Sequence, residues 1–399
     1  MPGPLDGKRI ALGVTGSIAC YKAADLASKL TQTGALVDVL LTSSAARFIS
    51  PLTFGSLTHR PVFTDLFDPQ SELSMDHVAV AEAADIVVVA PATAHTIAKI
   101  AGGLADDVLT TTVLATRAPV LLAPAMDANM YESAATQENV AKLESRGCVI
   151  AGPAEGRLAS GLIGKGRMLE PQELIGRIRA ALGRNGDLAG RKIVVSAGGT
   201  REPLDPVRVI ANRSSGKMGY AVAEAARDRG ASTTVVSAAT GLPDPVAVHL
   251  VRVETALEMR KAVLGACRDA DALVMVAAVA DWRPASTASR KVKKGESDTW
   301  SIDMVKNPDI LSEANGARLI KVGFAAESED LLANAGSKLV DKGLHLIAAN
   351  DITSEDGGFG SDTNTVTLLD KEGGVEELPA MAKYDVANRI LDRVAALLE

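Results

Sequence analysis

Thr15, Gly16 and Ser17 form a small-residue turn that could cradle a phosphate group. The turn follows an apolar run over residues 9–14 and precedes apolar residues that recur at helical spacing as far as Leu30. This pattern predicts strand, turn and helix, and the start of a helix offers N–H groups and a positive dipole end to an anion. A purely structural turn explains the spacing equally well, because the full G-x-G-x-x-G fingerprint is absent from the sequence.

His77 is the candidate for proton transfer in the first half, because histidine titrates near neutral pH. It precedes a strand-like run over residues 85–90. Taken alone, a solvated loop histidine is the favoured interpretation. Ser43 follows another predicted strand, residues 37–41, and lies where open α/β sheets bind their ligands.

A denser group of polar residues lies near the start of a predicted helix in the second half. Ser214, Ser215 and Gly216 offer hydroxyls and backbone N–H groups to a phosphate. A helix N-cap would account for one of the two serines, but not for Arg208 and Asn212 just upstream. The pattern therefore favours an anion site over a simple cap.

A lysine cluster follows Asp281, which itself lies just after a strand predicted over residues 273–277. Lys291, Lys293 and Lys294 most often would form a solvated loop. In an acidic protein, after a strand end, they could instead form a mobile lid over a triphosphate. The segments 307–310 and 323–327 complete the clusters of this half.

Strands that alternate with helices predict parallel sheets covered on both faces. The order of elements restarts at residues 190–200, which have the pattern of residues 7–17. We therefore predict two Rossmann-like α/β domains with mainly parallel sheets. The polar stretch 182–190 is the predicted linker and divides the chain into domains 1–184 and 185–399. Duplication and coincidence explain the repeated order equally well.

The composition limits the classes of function. The chain has 399 residues, of which 47% are hydrophobic and 3% aromatic, so aliphatic side chains must build its cores. A net charge of −7 argues against nucleic-acid binding, and no apolar run approaches the ~18 residues of a membrane span. Cys20, Cys148 and Cys267 lack the spacing of disulfides or zinc sites. We expect a cytoplasmic protein that acts on small molecules.

Several motifs together resemble those of a known enzyme family. In the first half they cover residues 16–22, 90–94, 124–126 and 164–168, together with the His77 segment. This half resembles the flavin-dependent cysteine decarboxylases. Over nearly its whole length, the chain resembles the bacterial bifunctional phosphopantothenoylcysteine decarboxylase/phosphopantothenate–cysteine ligases of coenzyme A biosynthesis. The resemblance implies that the first domain is of the flavodoxin-like, flavin-decarboxylase type.

For the first domain, the resemblance implies FMN as the cofactor, with Gly16, Ser17 and Ser43 near its phosphate and ribityl chain. His77 would be the catalytic histidine of thiol oxidation. In the family reaction, the cysteinyl thiol is oxidised to a thioaldehyde, the carboxylate is lost, and the reduced flavin then reduces the enethiol.

Two residues depart from the family pattern at chemical positions. Asp127 stands where the family has an asparagine that binds the substrate carboxylate, and an ionised aspartate only accepts hydrogen bonds. Ser160 stands where the family has a cysteine that donates the proton for enethiol reduction, and a hydroxyl is a far weaker acid than a thiol with its pKa of about 8.5. We therefore expect impaired decarboxylation, and an unpaired buried charge at Asp127 that weakens substrate binding.

For the second domain, the resemblance implies that CTP activates 4′-phosphopantothenate as an acyl cytidylate, from which cysteine displaces CMP. Asn212 would hold the activated carboxyl group, and Lys291 would support the cysteine-dependent step. Mg²⁺ would accompany CTP, because phosphate oxygens need charge neutralisation during transfer. The remaining candidates for binding the nucleotide or a phosphate are Arg208, Ser214, Ser215, Gly216, Ala277, Asp281, Phe324, Lys338 and Lys342.

Two alternatives stay open at this point. The chain could act in another pathway, with altered flavin chemistry and a different amide product. The first half could instead be a non-catalytic flavin-binding scaffold. The resemblance also implies a homo-oligomer that assembles around the FMN sites.

Overall fold

The computed structural model describes residues 3–66, 76–239, 241–293, 299–316, 318–327, 331–351 and 360–399. The chain folds into two compact units, Met1–Leu182 and Gly183–Glu399. Each unit has apolar clusters on both faces of its main sheet.

A parallel sheet forms the centre of the first unit. Its strands and those of a following hairpin are β1 (Arg9–Val14), β2 (Leu36–Leu41), β3 (Val62–Phe63), β4 (Ile86–Ala92), β5 (Val120–Pro124), β6 (Val149–Ile150), β7 (Ala154–Arg157) and β8 (Ile163–Arg167). The sheet order is β3-β2-β1-β4-β5-β6, and β7 pairs with β8 in an antiparallel hairpin. The strand order reverses between β1 and β4, which is where such sheets bind ligands.

Helices cover both faces of this sheet, because its strands are apolar on both sides. Ile10 and Leu12 of β1 join one cluster, whereas Ala11 joins the other. Buried parallel strands require this continuous apolar character. The helices are α1 (Cys20–Gln32), α2 (Pro51–Thr58), α3 (Asp76–Ala83), α4 (Ala94–Gly102), α5 (Val108–Ala115), α6 (Ala128–Glu132), α7 (Ala134–Ser145) and α8 (Pro171–Gly183).

A larger mixed sheet forms the centre of the second unit. The strands of this unit are β9 (Lys192–Ala197), β10 (Arg201–Pro203), β11 (Val209–Ala211), β12 (Ser232–Ser237), β13 (His249–Arg252), β14 (Ala272–Met275), β15 (Trp282–Pro284), β16 (Met304–Lys306), β17 (Ile320–Glu327), β18 (Leu346–Asp351), β19 (Thr363–Asp370) and β20 (Val375–Ala382). The sheet order is β13-β12-β9-β14-β17-β18-β19-β20; neighbouring strands pair in parallel from β13 to β18, and the β18–β19 and β19–β20 pairs are antiparallel. β10–β11 and β15–β16 form two small antiparallel pairs.

The helices of the second unit are α9 (Lys217–Asp228), α10 (Ala256–Ala266), α11 (Ile310–Glu313), α12 (Leu331–Asp341) and α13 (Lys383–Leu398). Side chains of α9 and α13, such as Val222 and Ile390, share one core cluster. Side chains of α10 and α12, such as Val263 and Leu339, share the cluster on the other face. The predicted class, two Rossmann-like α/β domains with mainly parallel sheets, is confirmed.

One predicted strand ends early because a buried side chain takes the place of its hydrogen-bonding partners. The strand expected over residues 273–277 ends at Met275, because Val276 and Ala277 both donate their N–H groups to the buried Ser196 hydroxyl, each at 3.0 Å. The Ser196 side chain thus accepts two N–H groups that would otherwise be available for strand pairing.

Candidate active sites

A cavity of about 620 Å³ opens at the carboxyl edge of the second unit's sheet. Loops after β9 and β14, the ends of β17 and β18, and the start of β19 line it. Nine predicted residues come together there, although they are spread over more than one hundred positions of sequence. These residues are Asn212, Ser214, Ser215, Gly216, Ala277, Asp281, Phe324, Lys338 and Lys342.

Two glycines let the turn before α9 approach the end of β9. Gly198 has φ +82°, and a Cβ added there would lie 2.4 Å from the Ala239 nitrogen. Gly216 has φ +81°, and its Cβ would lie 2.6 Å from the Ala239 Cβ. Neither position accepts a side chain without displacement of the backbone, so the Ser214-Ser215-Gly216 turn is held against the strand end.

Hydrogen bonds fix the loop that carries Asp281. The buried Thr200 hydroxyl accepts a bond from the Ala280 N–H at 3.0 Å. Asn307 donates its side-chain amide to the Ala280 carbonyl at 2.8 Å and its backbone N–H to the Asp281 carbonyl, also at 2.8 Å. From the opposite side, Asn212 donates to the Val279 carbonyl at 3.2 Å. The polar segments that contain Asn212 and Asn307 therefore both bond to the loop of residues 279–281.

Two lysines, Lys338 of α12 and Lys342 just after it, bring positive charge to the cavity. Lys342 forms an ion pair with Asp309 at 2.9 Å. Burial opposes ionisation of this carboxyl group, but hydrogen bonds from Lys342 and from the Ser312 N–H hold the pKa of Asp309 below its usual range. The positive charge of Lys342 is thus largely neutralised by the Asp309 carboxylate.

Several other residues of this cavity have no recognisable pattern in the sequence. Tertiary topology alone places Asn350 of β18, Asn364 of β19 and Lys383 of α13 beside the predicted residues. Lys306 is the last residue of the short strand β16 and had no distinguishing pattern. An asparagine near the end of a strand indicates a cavity residue only when it is known which strand lies beside it.

Arg208 and Lys291 are the predicted residues that the structure places outside this cavity. Arg208 donates to the Asp205 carboxylate through Nε at 3.0 Å and Nη2 at 2.5 Å, and its guanidinium lies 4.5 Å from the centre of the Trp300 ring. Arg208 also donates to the Val292 carbonyl at 3.0 Å, and Asp205 accepts the Val292 N–H at 3.1 Å. Arg208 therefore binds the backbone of Val292, beside the exposed Lys291, rather than lining the cavity; Lys294 lies outside the described residues.

In the first unit, Thr15 joins the two strand ends that flank the change in strand order. Its hydroxyl donates to the Pro91 carbonyl at 2.7 Å and accepts the Thr93 N–H at 3.1 Å. Gly16 lies so close to the loop after β2 that an added Cβ would be 2.6 Å from the Ser44 Cβ. The predicted phosphate residues Gly16, Ser17 and Ser43 are thus on adjoining turns.

His77 lies in the first turn of α3 and is half-buried. α3 connects β3 to β4 in an all-parallel sheet, so it runs back across the sheet and its first turn lies toward the carboxyl edge. This is the edge that also carries Thr15 and Thr93. The topology therefore places His77 on the side of the sheet where the predicted flavin residues lie.

Asp127 and Ser160, the two departures from the family pattern, contact each other. The Ser160 hydroxyl donates to Asp127 Oδ2 at 2.6 Å, and Asp127 Oδ1 accepts the Asn129 N–H at 3.0 Å as the N-cap of α6. The expectation of an unpaired buried charge at Asp127 is wrong, because both carboxylate oxygens are hydrogen-bonded and the residue is only half-buried. The contact also joins the β7–β8 hairpin to the loop before α6.

Within the described residues, no group of three or more histidine, cysteine, aspartate or glutamate side chains is arranged to bind a metal ion. None of the helices in the described segments is both long and apolar enough to cross a membrane.

Comparisons with known proteins divide the chain in the same place as the fold. Residues 2–183 match the flavoprotein family, and residues 188–398 match the DNA/pantothenate metabolism flavoprotein C-terminal domain. The coenzyme A biosynthesis bifunctional protein CoaBC of Vibrio vulnificus is 46% identical over 99% of both chains. Its Escherichia coli counterpart is 44% identical over 98% of this chain and 97% of its own.

Two solved structures each resemble one unit. A CoaBC C-terminal domain is 36% identical, with a TM-score of 0.46, and covers 53% of this chain and 98% of that chain. A mutant PPC decarboxylase complexed with pantothenoylaminoethenethiol is 30% identical, with a TM-score of 0.40, and covers 43% of this chain and 97% of that chain. On the full-length identity with curated relatives, the chain belongs to the family of the bifunctional coenzyme A biosynthesis proteins CoaBC.

Proposed function

We propose that the second domain, residues 185–399, joins 4′-phosphopantothenate to cysteine at the expense of CTP. The first domain, residues 1–184, then decarboxylates the cysteinyl product with FMN. The observation that carries the ligase half is the convergence of Asn212, the Ser214–Gly216 turn and Asp281 on one cavity. The alternative of another pathway is not favoured, since the identity of 46% extends over 99% of the chain.

In the ligase half, each group has a task set by its chemistry. The Ser214-Ser215-Gly216 turn lies just before α9, whose N-terminal dipole favours bound phosphate. Asn212, fixed by the Val279 carbonyl, would direct its amide toward the activated carboxyl group. Phosphate oxygens would supply most ligands of the Mg²⁺ ion, because the described residues provide no cluster of three candidate metal-binding side chains.

The first domain fits FMN at its strand-end turns. Gly16, Ser17 and Ser43 offer backbone N–H groups and hydroxyls at a turn with no side chain at its closest approach, which suits one phosphate group. Bound FMN supplies a two-electron acceptor for the cysteinyl thiol. His77 would take the proton released from that thiol, since a neutral imidazole has one ring nitrogen that can accept a proton.

The final protonation in the first domain is the step that we expect to be slow. The Ser160 hydroxyl donates its hydrogen bond to Asp127, so its proton is directed at the carboxylate rather than at a substrate carbon. Asp127 would also repel the substrate carboxylate. Both effects would slow decarboxylation, and neither would change the ligase reaction.

A homo-oligomer in the cytoplasm completes the proposal. Large apolar side chains are exposed on neighbouring elements of the first unit, among them Ile18 at 62%, Tyr21 at 63% and Leu52 at 77%. Exposed apolar patches of this kind mark protein interfaces. Cys20 and Cys267 are buried free thiols, and Cys148 is a half-buried one.

Substitution of Lys291 tests the ligase assignment in the full-length protein. With phosphopantothenate, CTP and Mg²⁺, we expect Lys291→Gln to form the acyl cytidylate at a near-native rate but to lose about tenfold or more in the cysteine-dependent step, because the ammonium group would act on that step only. Rapid-quench analysis of acyl cytidylate and CMP separates the two steps. An equal loss in both steps would contradict the assigned role, and native protein that releases no CMP would contradict the ligase itself.

A further inference from the structure

Two lysines at one end of the ligase cavity bind the same short segment: Lys383 lines the cavity, and Lys217 directly follows Gly216, which also lines it. Lys217 is the first residue of α9, and Lys383 is the first residue of α13. Lys217 Nζ donates to the Gly360 carbonyl at 2.8 Å and to Asp362 Oδ1 at 2.7 Å. Lys383 Nζ donates to the Ser361 carbonyl at 2.5 Å and to the Thr363 carbonyl at 2.7 Å.

The positive charge of Lys217 and Lys383 exceeds the negative charge of the carboxylate beside them. Asp362 acts on both ammonium groups, so two positive charges share one carboxylate. That carboxylate is also 88% exposed, so water screens much of its effect. Burial and the neighbouring charge of Lys217 lower the pKa of Lys383, as expected for like charges held close together. A bound anion would relieve this repulsion.

The surrounding backbone adds to the positive field. α9 has twelve residues and begins at this point; its N-cap, Gly216, has no side chain, and the Ser215 hydroxyl accepts the Lys217 N–H at 3.4 Å. Ser214 and Ser215 line the same cavity beside the helix start. By contrast, Lys342 already has Asp309 as a partner at 2.9 Å. Lys217 and Lys383 therefore have a weaker counter-charge than Lys342, because the Asp362 carboxylate is more exposed than that of Asp309.

We infer that Lys217 and Lys383 form a polyphosphate subsite for the two terminal phosphates of the nucleoside triphosphate. This inference deepens the proposed function and rests on it. When the substrate carboxylate oxygen bonds to the α-phosphorus, the bond from that phosphorus to the bridging oxygen breaks. Pyrophosphate leaves with the electron pair, and the two ammonium groups neutralise the charge that it carries away.

Binding by the full-length protein tests the subsite. We expect Lys217→Gln and Lys383→Gln each to weaken binding of CTP and of inorganic pyrophosphate about tenfold or more, since charge-assisted hydrogen bonds are lost. CMP, which lacks the terminal phosphates, should lose less than about twofold. Titration calorimetry gives the three affinities, and Lys261→Gln, at an exposed lysine of α10, is the matched control.

Asp362→Asn separates a charge effect from a structural one. If the lysines merely hold the 360–363 segment, losing the Lys217–Asp362 ion pair should weaken CTP binding. If they act by charge, removing the carboxylate should leave CTP binding unchanged or tighten it by up to about fivefold. Equal losses for CMP and CTP, or a loss confined to phosphopantothenate, would overturn the subsite. Native protein that neither binds CTP nor releases CMP would instead overturn the proposed function.

Discussion

The Asp127–Ser160 contact shows how two residues that look damaging in sequence form a satisfied pair in the fold. Asp127 uses one oxygen to cap α6 and the other to accept the Ser160 hydroxyl. A carboxylate with two such bonds costs little when half-buried, whereas an isolated buried charge would cost several kcal/mol. The pair nevertheless leaves no thiol and no amide donor where the family reaction uses them.

We predict that native protein converts phosphopantothenoylcysteine to phosphopantetheine slowly. Combining Asp127→Asn with Ser160→Cys should raise the rate at least about tenfold, because a positioned general acid contributes ~10² to 10⁴ in rate. Ser145→Cys, at an exposed serine of α7, controls for an added thiol. Product formation is followed by mass spectrometry, and fast turnover by the native protein would show that the pair replaces the family residues.

At this scale, polar strand-end and helix-start motifs, together with the family resemblance, identified nine residues that meet in the ligase cavity. Asn364 and Lys383 escaped detection because each stands alone in its segment and is brought to the cavity by β19 and α13. Arg208 was assigned to phosphate because it lies just upstream of the Ser214-Ser215-Gly216 turn, whereas its ion pair with the buried Asp205 carboxylate cannot be seen in the sequence.

Among the elements, the turn between β1 and α1 determines which flavin can bind. It provides one phosphate cradle, at Gly16 and Ser17, next to the loop of Ser43. We therefore predict that purified protein carries FMN and not FAD, since a second phosphate and an adenosine arm have no matching turn in the motifs. Acid release of the flavin followed by chromatography identifies it. Stoichiometric FAD would contradict the prediction.

The lysine segment depends on a second element, the β10–β11 pair, through Asp205. The Asp205 side chain is fully buried, and the hydrogen bonds from Arg208 and from backbone N–H groups hold its pKa well below the usual range, against the effect of burial. A depressed carboxylate pKa stabilises the fold above the ordinary value of about 3.9, and the contribution is lost as the pH falls toward the lower native value.

We accordingly predict that Trp300 emission, read in a Trp282→Phe background, is constant from about pH 8 to about pH 5 and changes below about pH 4. Asp205→Asn should produce the acid-type emission already at neutral pH, because Arg208 loses its partner beneath the Trp300 ring. Asp244→Asn, which removes the partner of Arg252, is the control. A transition near pH 7 in the native protein would count against this role of Asp205.

The apolar pattern of the sequence predicted strands that are buried on both faces, but it did not predict strands that are half-exposed. The strand over residues 9–14 has the predicted bounds, because its apolar run is continuous. The β7–β8 hairpin and β20 are half-exposed and interrupted by glycine, charge or proline, so they carry no clear alternation. The early end of β14 follows from the Ser196 hydroxyl, a tertiary contact.

At the scale of the whole molecule, the chain consists of two units, and each has its own sheet and its own apolar clusters. All residues that carry the ligase proposal lie in the unit Gly183–Glu399. Because a domain with its own core can fold by itself, the ligase reaction should survive separation from the flavin-binding unit.

The most direct test of this account is the product mixture formed by residues 185–399 alone. Given phosphopantothenate, CTP, Mg²⁺ and cysteine, this unit should release one CMP for each phosphopantothenoylcysteine formed, without any phosphopantetheine. Chromatography of nucleotides and mass spectrometry of the amide measure both products. If the folded unit releases no CMP under these conditions while the protein remains intact, the assignment of a CTP-dependent ligase to this half of the chain is wrong.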